Sequence, residues 1–295
     1  MEKINFQNIT VDTISLPVFK EKNIEVSVLR LDKIHPVISG NKWFKLRFYI
    51  EEAKQLKKKT IITFGGAYSN HIVATAAACK INSLKSIGII RGEEPTELSP
   101  TLLQAKEFEM HLFFISREEY KEKKISRELT NDETYVINEG GFGEKGVQGA
   151  ATILDYCEKK NFTHYCCAMG TGTMLAGLAK ASLSNQSVIG ISVMKNNFEL
   201  EEKLSTLLSG ENNFQILHDY HFGGYAKYKP ELITFMNWFY NQTGIPSDFV
   251  YTGKLFFAIS GLVEKKFFPP HSKLLLIHSG GLQGNTSLGK GTLIF

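Results

Sequence analysis

Three short segments combine glycine with polar side chains in patterns that could hold a small phosphorylated molecule. The first, Ser39-Gly40-Asn41, is a turn-forming triplet that delivers Lys42 to the first turn of an expected helix. A lysine amine can attach covalently to the aldehyde of a ligand. Alone this lysine means little, because a lysine near a helix start is usually solvated. Its interpretation as a covalent anchor therefore depends on the other segments.

The second segment, Gly170-Thr171-Gly172-Thr173, joins an expected strand to an expected helix. Small residues let backbone N–H groups approach an anion closely, threonine hydroxyls add donors, and the helix N-terminus adds a favourable dipole. These features suit a phosphate monoester. The segment lacks the lysine-serine ending of an ATP loop and the full glycine pattern of a dinucleotide site, so ATP and NAD are disfavoured. Tight packing alone is the other explanation of such a turn.

The third segment places Ser69-Asn70 at a helix start, directly after the turn Gly65-Gly66-Ala67-Tyr68. Both residue types are good N-caps, so capping is one explanation of the pair. As site residues, Asn70 could donate a hydrogen bond to a phenolate oxygen and Ser69 could relay a proton.

A late segment, His278-Ser279-Gly280-Gly281, is either a strand end followed by a turn or a place where the Ser279 hydroxyl meets a ring nitrogen. Tyr225 and Tyr251 would pass as ordinary aromatic residues in a chain with 11 tyrosines. It is the order of these residues along the chain, more than any one of them, that indicates a site.

The chain of 295 residues has an ordinary globular composition, with 43% hydrophobic and 22% charged residues. Its net charge of +4 is small and scattered, so nucleic-acid binding is not expected. Four cysteines, Cys79, Cys157, Cys166 and Cys167, form neither a Cys-x-x-Cys pair nor a zinc pattern. They predict reduced core cysteines in a cytoplasmic protein. Neither a signal peptide nor a membrane-spanning segment is indicated.

Strands and helices alternate almost throughout the sequence, and several strands are continuous apolar runs. This pattern predicts an α/β fold with parallel sheets covered on both faces. In open α/β sheets, ligands bind at the carboxyl ends of the strands. The segments after Phe64, Ala168 and His278 fall at such ends, whereas the Lys42 turn follows a loop. One of the longer expected helices runs from 146 to 159.

Taken together, these segments resemble the 1-aminocyclopropane-1-carboxylate deaminase / D-cysteine desulfhydrase family of pyridoxal-phosphate enzymes, which have fold type II. The resemblance runs in the same order from Arg30 to Gly281. Its most specific part is Ser-Gly-Asn-Lys-x-x-Lys-Leu, which starts at Ser39, followed by Gly-Gly-x-x-Ser-Asn-His, which starts at Gly65. The resemblance implies pyridoxal 5′-phosphate as the cofactor.

By this resemblance, Lys42 is similar to the lysine that forms the Schiff base with the cofactor. Asn70 resembles the residue that contacts the cofactor's phenolic oxygen, and Ser69 resembles the active-site serine beside the substrate. The family's phosphate loop corresponds to Gly170, Thr171, Gly172 and Thr173, its two substrate-facing tyrosines to Tyr251 and Tyr225, and its residue against the pyridine nitrogen to Ser279. The resemblance thus implies Lys42, Ser69, Tyr251 and Tyr225 as the catalytic residues, without a metal.

Several positions depart from the family pattern and bear on the substrate. Thr252 stands where aminocyclopropane-carboxylate deaminases are expected to carry Glu, and Ser279 stands where they carry Leu. A hydroxyl near the ring nitrogen favours a neutral pyridine, a weaker electron sink that suffices when a Cα proton is removed and a good leaving group departs. Opening a cyclopropane without a Cα hydrogen is harder and fits a carboxylate there. Tyr68 replaces the Gln that both branches often have, and His71 matches the desulfhydrase branch.

The resemblance therefore implies α,β-elimination of a β-substituted amino acid such as D-cysteine, with release of pyruvate, ammonia and the leaving group. Lys42 would remove the Cα proton, while the tyrosines and Ser69 would bind substrate or assist proton transfer. Ring opening of 1-aminocyclopropane-1-carboxylate to 2-oxobutanoate and ammonia is the alternative within the family. Alternatives of other classes are a non-catalytic protein that carries or senses pyridoxal phosphate and an α/β protein that binds another phosphorylated metabolite.

The resemblance also implies two parallel-type α/β/α domains with the cofactor cleft between them. Residues 1–44 and 136–295 would form the larger, cofactor-binding domain, and residues 45–135 would form a smaller inserted domain. Because family members are commonly homodimers, we expect a homodimer that acts on a small amino acid, without a nucleic-acid or membrane partner.

Overall fold

The computed structural model of the chain describes residues 4–208, 210 and 213–295, and their strands form two separate sheets. The strands are β1 (Val11–Ile14), β2 (Glu25–Arg30), β3 (Thr60–Gly65), β4 (Lys85–Arg91), β5 (Met110–Ile115), β6 (Thr134–Ile137), β7 (His164–Met169), β8 (Ser187–Ser192), β9 (Phe214–Leu217) and β10 (Lys273–His278). The α-helices are α1 (Pro17–Glu21), α2 (Asn41–Gln55), α3 (Asn70–Ile81), α4 (Pro100–Glu107), α5 (Arg117–Lys121), α6 (Glu144–Ala151), α7 (Thr173–Ala181), α8 (Glu199–Leu207), α9 (Pro230–Thr243) and α10 (Thr252–Glu264).

A six-stranded sheet in the order β1-β2-β10-β7-β8-β9 forms the larger layer. Strand β1 runs antiparallel to β2, and the remaining strands pair in parallel. Helices cover both faces, so the strands need apolar side chains on both sides. Cys166 and Cys167 on β7 illustrate this, because they enter hydrophobic clusters on opposite faces, as their adjacent positions predict.

A four-stranded sheet in the order β5-β4-β3-β6 forms the second layer, and its strands are all parallel. Helix α3 packs against β3 and β4 and also against α2 and α4. Its residues from Asn70 to Cys79 are therefore all buried. The alanine-rich sequence suits this position, because small side chains let a helix pack closely on every side.

The predicted alternation of strands and helices is confirmed, with differences in detail. The helix predicted from 146 to 159 ends at Ala151 and continues as a 3-10 helix from Thr152 to Tyr156. The Thr152 hydroxyl donates to the Gly149 carbonyl at 2.7 Å, and such local bonds compete with the α-helical pattern. The sequence pattern does not predict β1, α1 and β9, since these elements are short and mostly half-exposed, so their periodicity is weak.

The segments that follow Phe64, Ala168 and His278 lie at the carboxyl ends of β3, β7 and β10, as predicted. The residue ranges assigned above to two domains stay a prediction. In the part of the chain that the structure describes, we find no helix with the length and apolarity needed to cross a membrane.

Candidate active site

A cavity of about 720 Å³ opens where the carboxyl ends of strands from both sheets meet. Its size is typical of a small-molecule site. Predicted site residues on its wall are Lys42, Ser69, Asn70, Gly170, Thr171, Gly172, Tyr225, Tyr251 and Ser279. The structure therefore brings together residues that lie far apart in the sequence. Thr173 lies buried behind the wall, with its hydroxyl 3.1 Å from that of Thr171.

The Lys42 turn is fixed to the turn after β10. Gly40 N–H donates to the Leu31 carbonyl at 2.8 Å, and Asn41 N–H donates to the Ser279 carbonyl at 3.3 Å. Gly40 has φ +64° and ψ −142°, a conformation that suits glycine. Helix α2 starts at Asn41, so this turn sets the direction in which the Lys42 side chain leaves the helix.

The Lys42 amine lies in surroundings that favour its neutral, nucleophilic form. Burial lowers its pKa to about 8, although the Asp248 carboxylate acts in the opposite direction. Its Nζ lies 5.8 Å from the centre of the Tyr251 ring. A lysine with a pKa near neutral pH can serve both as a nucleophile and as a base.

Lys45, one turn further along α2, is a cavity residue to which the sequence analysis assigns no role. It is buried, and this burial, together with the charge of Lys42, lowers its pKa well below the usual value. The signal was present as the Lys-x-x-Lys spacing, because residues three apart share one face of a helix. Two lysines on one wall of a cavity suit an anionic ligand.

The start of α3 supplies an N-cap and a buried side-chain group whose hydrogen-bonding capacity is unused. The Ser69 hydroxyl accepts from Ile72 N–H at 3.4 Å, so the capping explanation is confirmed for Ser69. Asn70 Oδ1 is buried without a hydrogen-bond partner among the described residues. The carboxamide of Asn70 is thus free to meet a ligand at the cavity wall.

His71 follows this pair, and it is neutral. Thr63 Oγ1 donates to the Ile137 carbonyl at 2.8 Å, so at 2.8 Å from His71 Nε2 it can only accept. Nε2 therefore carries the proton and Nδ1 does not. Burial, followed by the charges of Lys42 and Lys45, lowers the His71 pKa well below its usual value.

The Gly170–Thr173 turn leads from β7 into α7 and directs the helix N-terminus to the cavity. Gly172 has φ +74°, and a Cβ there would lie 2.5 Å from Leu204 Cδ1, so the turn depends on glycine. The turn also faces Gly140, where a Cβ would lie 2.8 Å from Thr171 Cγ2. Backbone N–H groups at such a turn are suited to an anion.

Tyr251 and Tyr225 pack edge to face on the cavity wall, with ring centres 6.1 Å apart. Burial, followed by the neighbouring Tyr225, raises the pKa of Tyr251 well above its usual value. Burial also raises the pKa of Tyr225, whereas its bond with Tyr251 lowers it. Both hydroxyls therefore keep their protons at neutral pH and can donate them.

Asp248 is a positioning residue that the sequence analysis misses. Its Oδ2 accepts from the N–H groups of Val250 and Tyr251 at 3.0 and 2.8 Å. Its Oδ1 accepts from the N–H group and the hydroxyl of Thr252 at 2.9 and 2.7 Å. The carboxylate thereby fixes the backbone of Tyr251 and holds the Thr252 side chain. An Asp just before a helix start was the available signal.

Ser279 follows β10, and hydrogen bonds of the residues on both sides of it hold the turn in place. His278 Nε2 donates to the Pro246 carbonyl at 2.7 Å, and Gly280 N–H donates to His278 Nδ1 at 3.3 Å. Gly281 N–H donates to Ser39 Oγ at 3.3 Å. These bonds leave the Ser279 side chain on the cavity wall.

Lys254, fully buried on α10, holds the loop that carries Tyr225. Its Nζ donates to the carbonyls of His221 and Gly224, each at 2.8 Å, and burial lowers its pKa to about 8. Gly224 has φ +121°, so the loop adopts a conformation that needs such anchoring. Lys254 is therefore a second positioning residue, because it acts on the cavity through Tyr225.

Replacing Lys254 with methionine is expected to speed backbone amide exchange of the loop from 221 to 226 by about 10-fold or more, since two charge-assisted hydrogen bonds are lost. Hydrogen–deuterium exchange with mass spectrometry measures this. The matched control is Lys265→Met, an exposed lysine at the end of the same helix. Unchanged exchange of the loop in Lys254→Met would show that other contacts hold it.

Comparisons with known proteins agree on one family. A family model described as pyridoxal-phosphate dependent enzyme matches residues 11–280. A protein of Thermotoga maritima, provisionally named 1-aminocyclopropane-1-carboxylate deaminase, is 31% identical over 284 residues, which cover 88% of this chain and 89% of that protein. The mitochondrial bifunctional D-cysteine desulfhydrase/1-aminocyclopropane-1-carboxylate deaminase of Arabidopsis thaliana is 30% identical over 298 residues, which cover 88% of this chain and 73% of that protein.

Among solved structures, one described as an ACC deaminase homologue is similar over nearly the whole chain. Its TM-score is 0.84 at 28% sequence identity, with 97% of this chain and 92% of that chain covered. The α/β fold with mostly parallel sheets, predicted from the sequence, is thereby confirmed as fold type II.

Proposed function

Because the chain belongs to the pyridoxal-phosphate dependent enzyme family, we propose that it catalyses α,β-elimination of a β-substituted amino acid such as D-cysteine. Its cofactor is pyridoxal 5′-phosphate. The observation that favours elimination is the orientation of Thr252, whose hydroxyl donates to Asp248 rather than entering the cavity. Position 252 is thus occupied by a threonine that is turned away from the cavity, and it offers no acidic group to the cofactor.

The polar groups of the cavity fit this cofactor. The turn at Gly170, Thr171 and Gly172 would hold the phosphate through its backbone N–H groups. Lys45 lies near that turn, because the Gly140-Gly141 segment packs against both Thr171 and the Lys45 side chain. Its amine would balance the phosphate charge.

The remaining groups would hold the ring. The side-chain NH2 group of Asn70 would donate to the phenolic oxygen, and the Ser279 hydroxyl would meet the pyridine nitrogen. Lys42 would attach to the aldehyde carbon.

The reaction follows from these positions. When bound, the cofactor supplies an aldehyde that joins amino groups and a conjugated ring that accepts the electron pair of a broken Cα–H bond. Because the substrate amine would take the place of Lys42 on the aldehyde, the Lys42 Nζ would become a free amine and could take the proton from Cα. The Cβ–S bond would then break with its electrons on sulfur, and the Tyr251 hydroxyl, beside Tyr225, would donate a proton to the leaving group. Ser69 would bind the substrate carboxylate.

The overall change balances without an oxidant or reductant. The 2-aminoacrylate formed by elimination takes up one water and loses ammonia. D-cysteine and water therefore give pyruvate, ammonia and hydrogen sulfide, and no change of oxidation state falls on the protein.

Ring opening of 1-aminocyclopropane-1-carboxylate is the second candidate, because the relatives from Thermotoga maritima and Arabidopsis thaliana carry that activity in their names. Opening that ring needs strong electron withdrawal, since its Cα has no hydrogen to lose. A hydroxyl at Ser279, together with the Thr252 side chain held by Asp248, supplies less of this withdrawal than a carboxylate would. We therefore place ring opening second.

A substrate screen tests this order. Purified, cofactor-loaded protein is expected to release pyruvate from D-cysteine and from β-chloro-D-alanine, and little 2-oxobutanoate from 1-aminocyclopropane-1-carboxylate, because only the first two offer a Cα proton and a leaving group. The L-enantiomers, assayed in parallel, establish the stereochemistry. Protein with Lys42→Ala provides the background for each substrate. Turnover of the cyclopropane alone would overturn the proposal.

The finer expectations of the sequence analysis remain part of this proposal. They are a homodimer, a cytoplasmic location, and division into residues 1–44 with 136–295 and residues 45–135. Sedimentation analysis of the loaded protein tests the dimer directly.

A further inference from the structure

Arg91 places a guanidinium group on the cavity wall. It is the last residue of β4 and follows Ile90, which pairs with Gly65 at the end of β3. Its Nη2 lies 3.6 Å from the position that a Cβ would take on Gly66. The guanidinium therefore lies beside the turn that leads to Ser69, within the cavity itself.

The charge of Arg91 is not neutralised by the protein. Among the described residues, neither an ion pair nor a hydrogen bond involves its side chain, and its charge faces the Tyr120 ring at 5.7 Å. The neighbouring Lys123 differs, since its Nζ lies 2.7 Å from Glu139 Oε2. Lys123, Glu139 and Arg91 all line the cavity, so this part of the wall carries one positive charge in excess.

Arg91 lies apart from the reacting centre. Lys42 Nζ is 5.8 Å from the centre of the Tyr251 ring, and that centre is 6.1 Å from the centre of the Tyr225 ring. The charge of Arg91 acts on Tyr225, as do those of Asp248 and Glu139, whereas the charge that acts on Lys42 is that of Asp248. Because Ser69 is proposed above to bind the α-carboxylate, an amino acid at Lys42 would leave Arg91 free to meet the end of its side chain.

We propose that Arg91 binds a carboxylate at the end of the substrate side chain, so that the preferred substrates are amino acids whose β-substituent is itself acidic. This inference rests on the proposed function in taking an amino acid as the ligand at Lys42, with its α-carboxylate at Ser69. Arginine suits the role, because its planar group binds a carboxylate through two parallel hydrogen bonds.

Equilibrium binding tests the inference without turnover. The ligands are aspartate, glutamate and 2-aminoadipate, each as D- and L-enantiomer, and each compared with its side-chain amide by calorimetry on cofactor-loaded protein. Acid and amide have nearly the same shape and lack a leaving group for elimination. At least one acid is expected to bind about 10- to 100-fold more tightly than its amide, as a charge-assisted pair predicts.

Variants of Arg91 connect that preference to its side chain. Arg91→Gln is expected to bring the ratio of acid to amide affinity close to one, and Arg91→Lys to retain part of it, because one charge remains without the paired geometry. Arg117→Gln, at an exposed arginine of α5 outside the cavity wall, is the matched control and should keep the full ratio.

Two results would overturn the inference. In the first, no acid binds more tightly than its amide. In the second, Arg91→Gln weakens acid and amide equally, which would assign Arg91 to the α-carboxylate.

A turnover arm separates this inference from the proposed function. S-Carboxymethylcysteine and its amide would give pyruvate, ammonia and the corresponding thiol, with a higher kcat/KM for the acid that disappears in Arg91→Gln. Arg91-dependent binding of acids without elimination from any cysteine derivative would refute the proposed reaction and leave the role of Arg91 intact. Elimination without preference for the acid would refute the role of Arg91 alone.

Discussion

Substitution of Lys42 with alanine is expected to remove the near-visible absorption band of the cofactor-loaded protein and to lower turnover roughly a thousandfold or more. The reason is that one amine is proposed both to attach to the aldehyde and to take the proton from Cα. Alanine can do neither. Absorption spectra of the purified variant, followed by assays of pyruvate release, measure the two effects separately.

Lys54→Ala is the matched control, because Lys54 is an exposed residue near the end of the same helix. It is expected to keep both the band and the activity. If Lys42→Ala kept the absorption band, another amine would be the anchor, and Lys45 would be the first to test. A protein that shows no such band after addition of pyridoxal phosphate would contradict the entire assignment of the site.

The lowered pKa of Lys42 adds a pH dependence to this prediction. A pKa of about 8 means that the neutral amine becomes the main form above that pH. The rate at which apoprotein takes up pyridoxal phosphate should therefore rise about tenfold per pH unit below pH 8 and level off above it. An ordinary lysine would level off about two units higher. Stopped-flow absorbance at constant ionic strength distinguishes the two profiles.

The sequence was sufficient to predict the strand ends that form the cavity, because their signals are local. Apolar runs followed by glycine-rich turns mark the ends of β3, β7 and β10, and parallel pairing then brings these ends to the same edges. The position of Lys42 was harder to predict, since its turn follows a loop. It could be predicted only from the order of the family motifs along the chain.

Two residues that the sequence analysis misses, Lys254 and Arg91, depend on surroundings that are distant in the chain. Lys254 binds carbonyls about 30 residues earlier, at His221 and Gly224. The free charge of Arg91 is evident only when its surroundings are known, because a neighbouring lysine, Lys123, is paired. The periodicity of a sequence does not predict such pairings, because it indicates which face of an element is buried and not which residues contact that face. Thr173 shows the converse, because it belongs to the expected phosphate loop but lies buried behind the cavity wall.

Replacing Gly40 with alanine is expected to lower the free energy of unfolding by about 3 kcal/mol or more, because a clash and backbone strain occur together. A Cβ there would lie 1.8 Å from the Ser279 carbonyl oxygen and 2.0 Å from its carbon. Both are backbone atoms, so relief requires the two turns to separate. Because the same contact positions Lys42, the absorption band should weaken as well. Urea unfolding and absorption spectra measure the two effects.

Gly244→Ala is the control for a positive φ without a clash. Gly244 ends α9 at φ +67°, close to the +64° of Gly40, but a Cβ there would meet nothing within 4 Å. Its substitution should cost only the left-handed strain, about 1–2 kcal/mol, and leave the absorption band unchanged. The difference between the two variants then reports the clash with the Ser279 turn together with the additional strain of the ψ of −142° at Gly40, since Gly244 has a ψ of 9°. Equal losses would mean that the turns can separate at little cost, and that α2 itself must position the lysine.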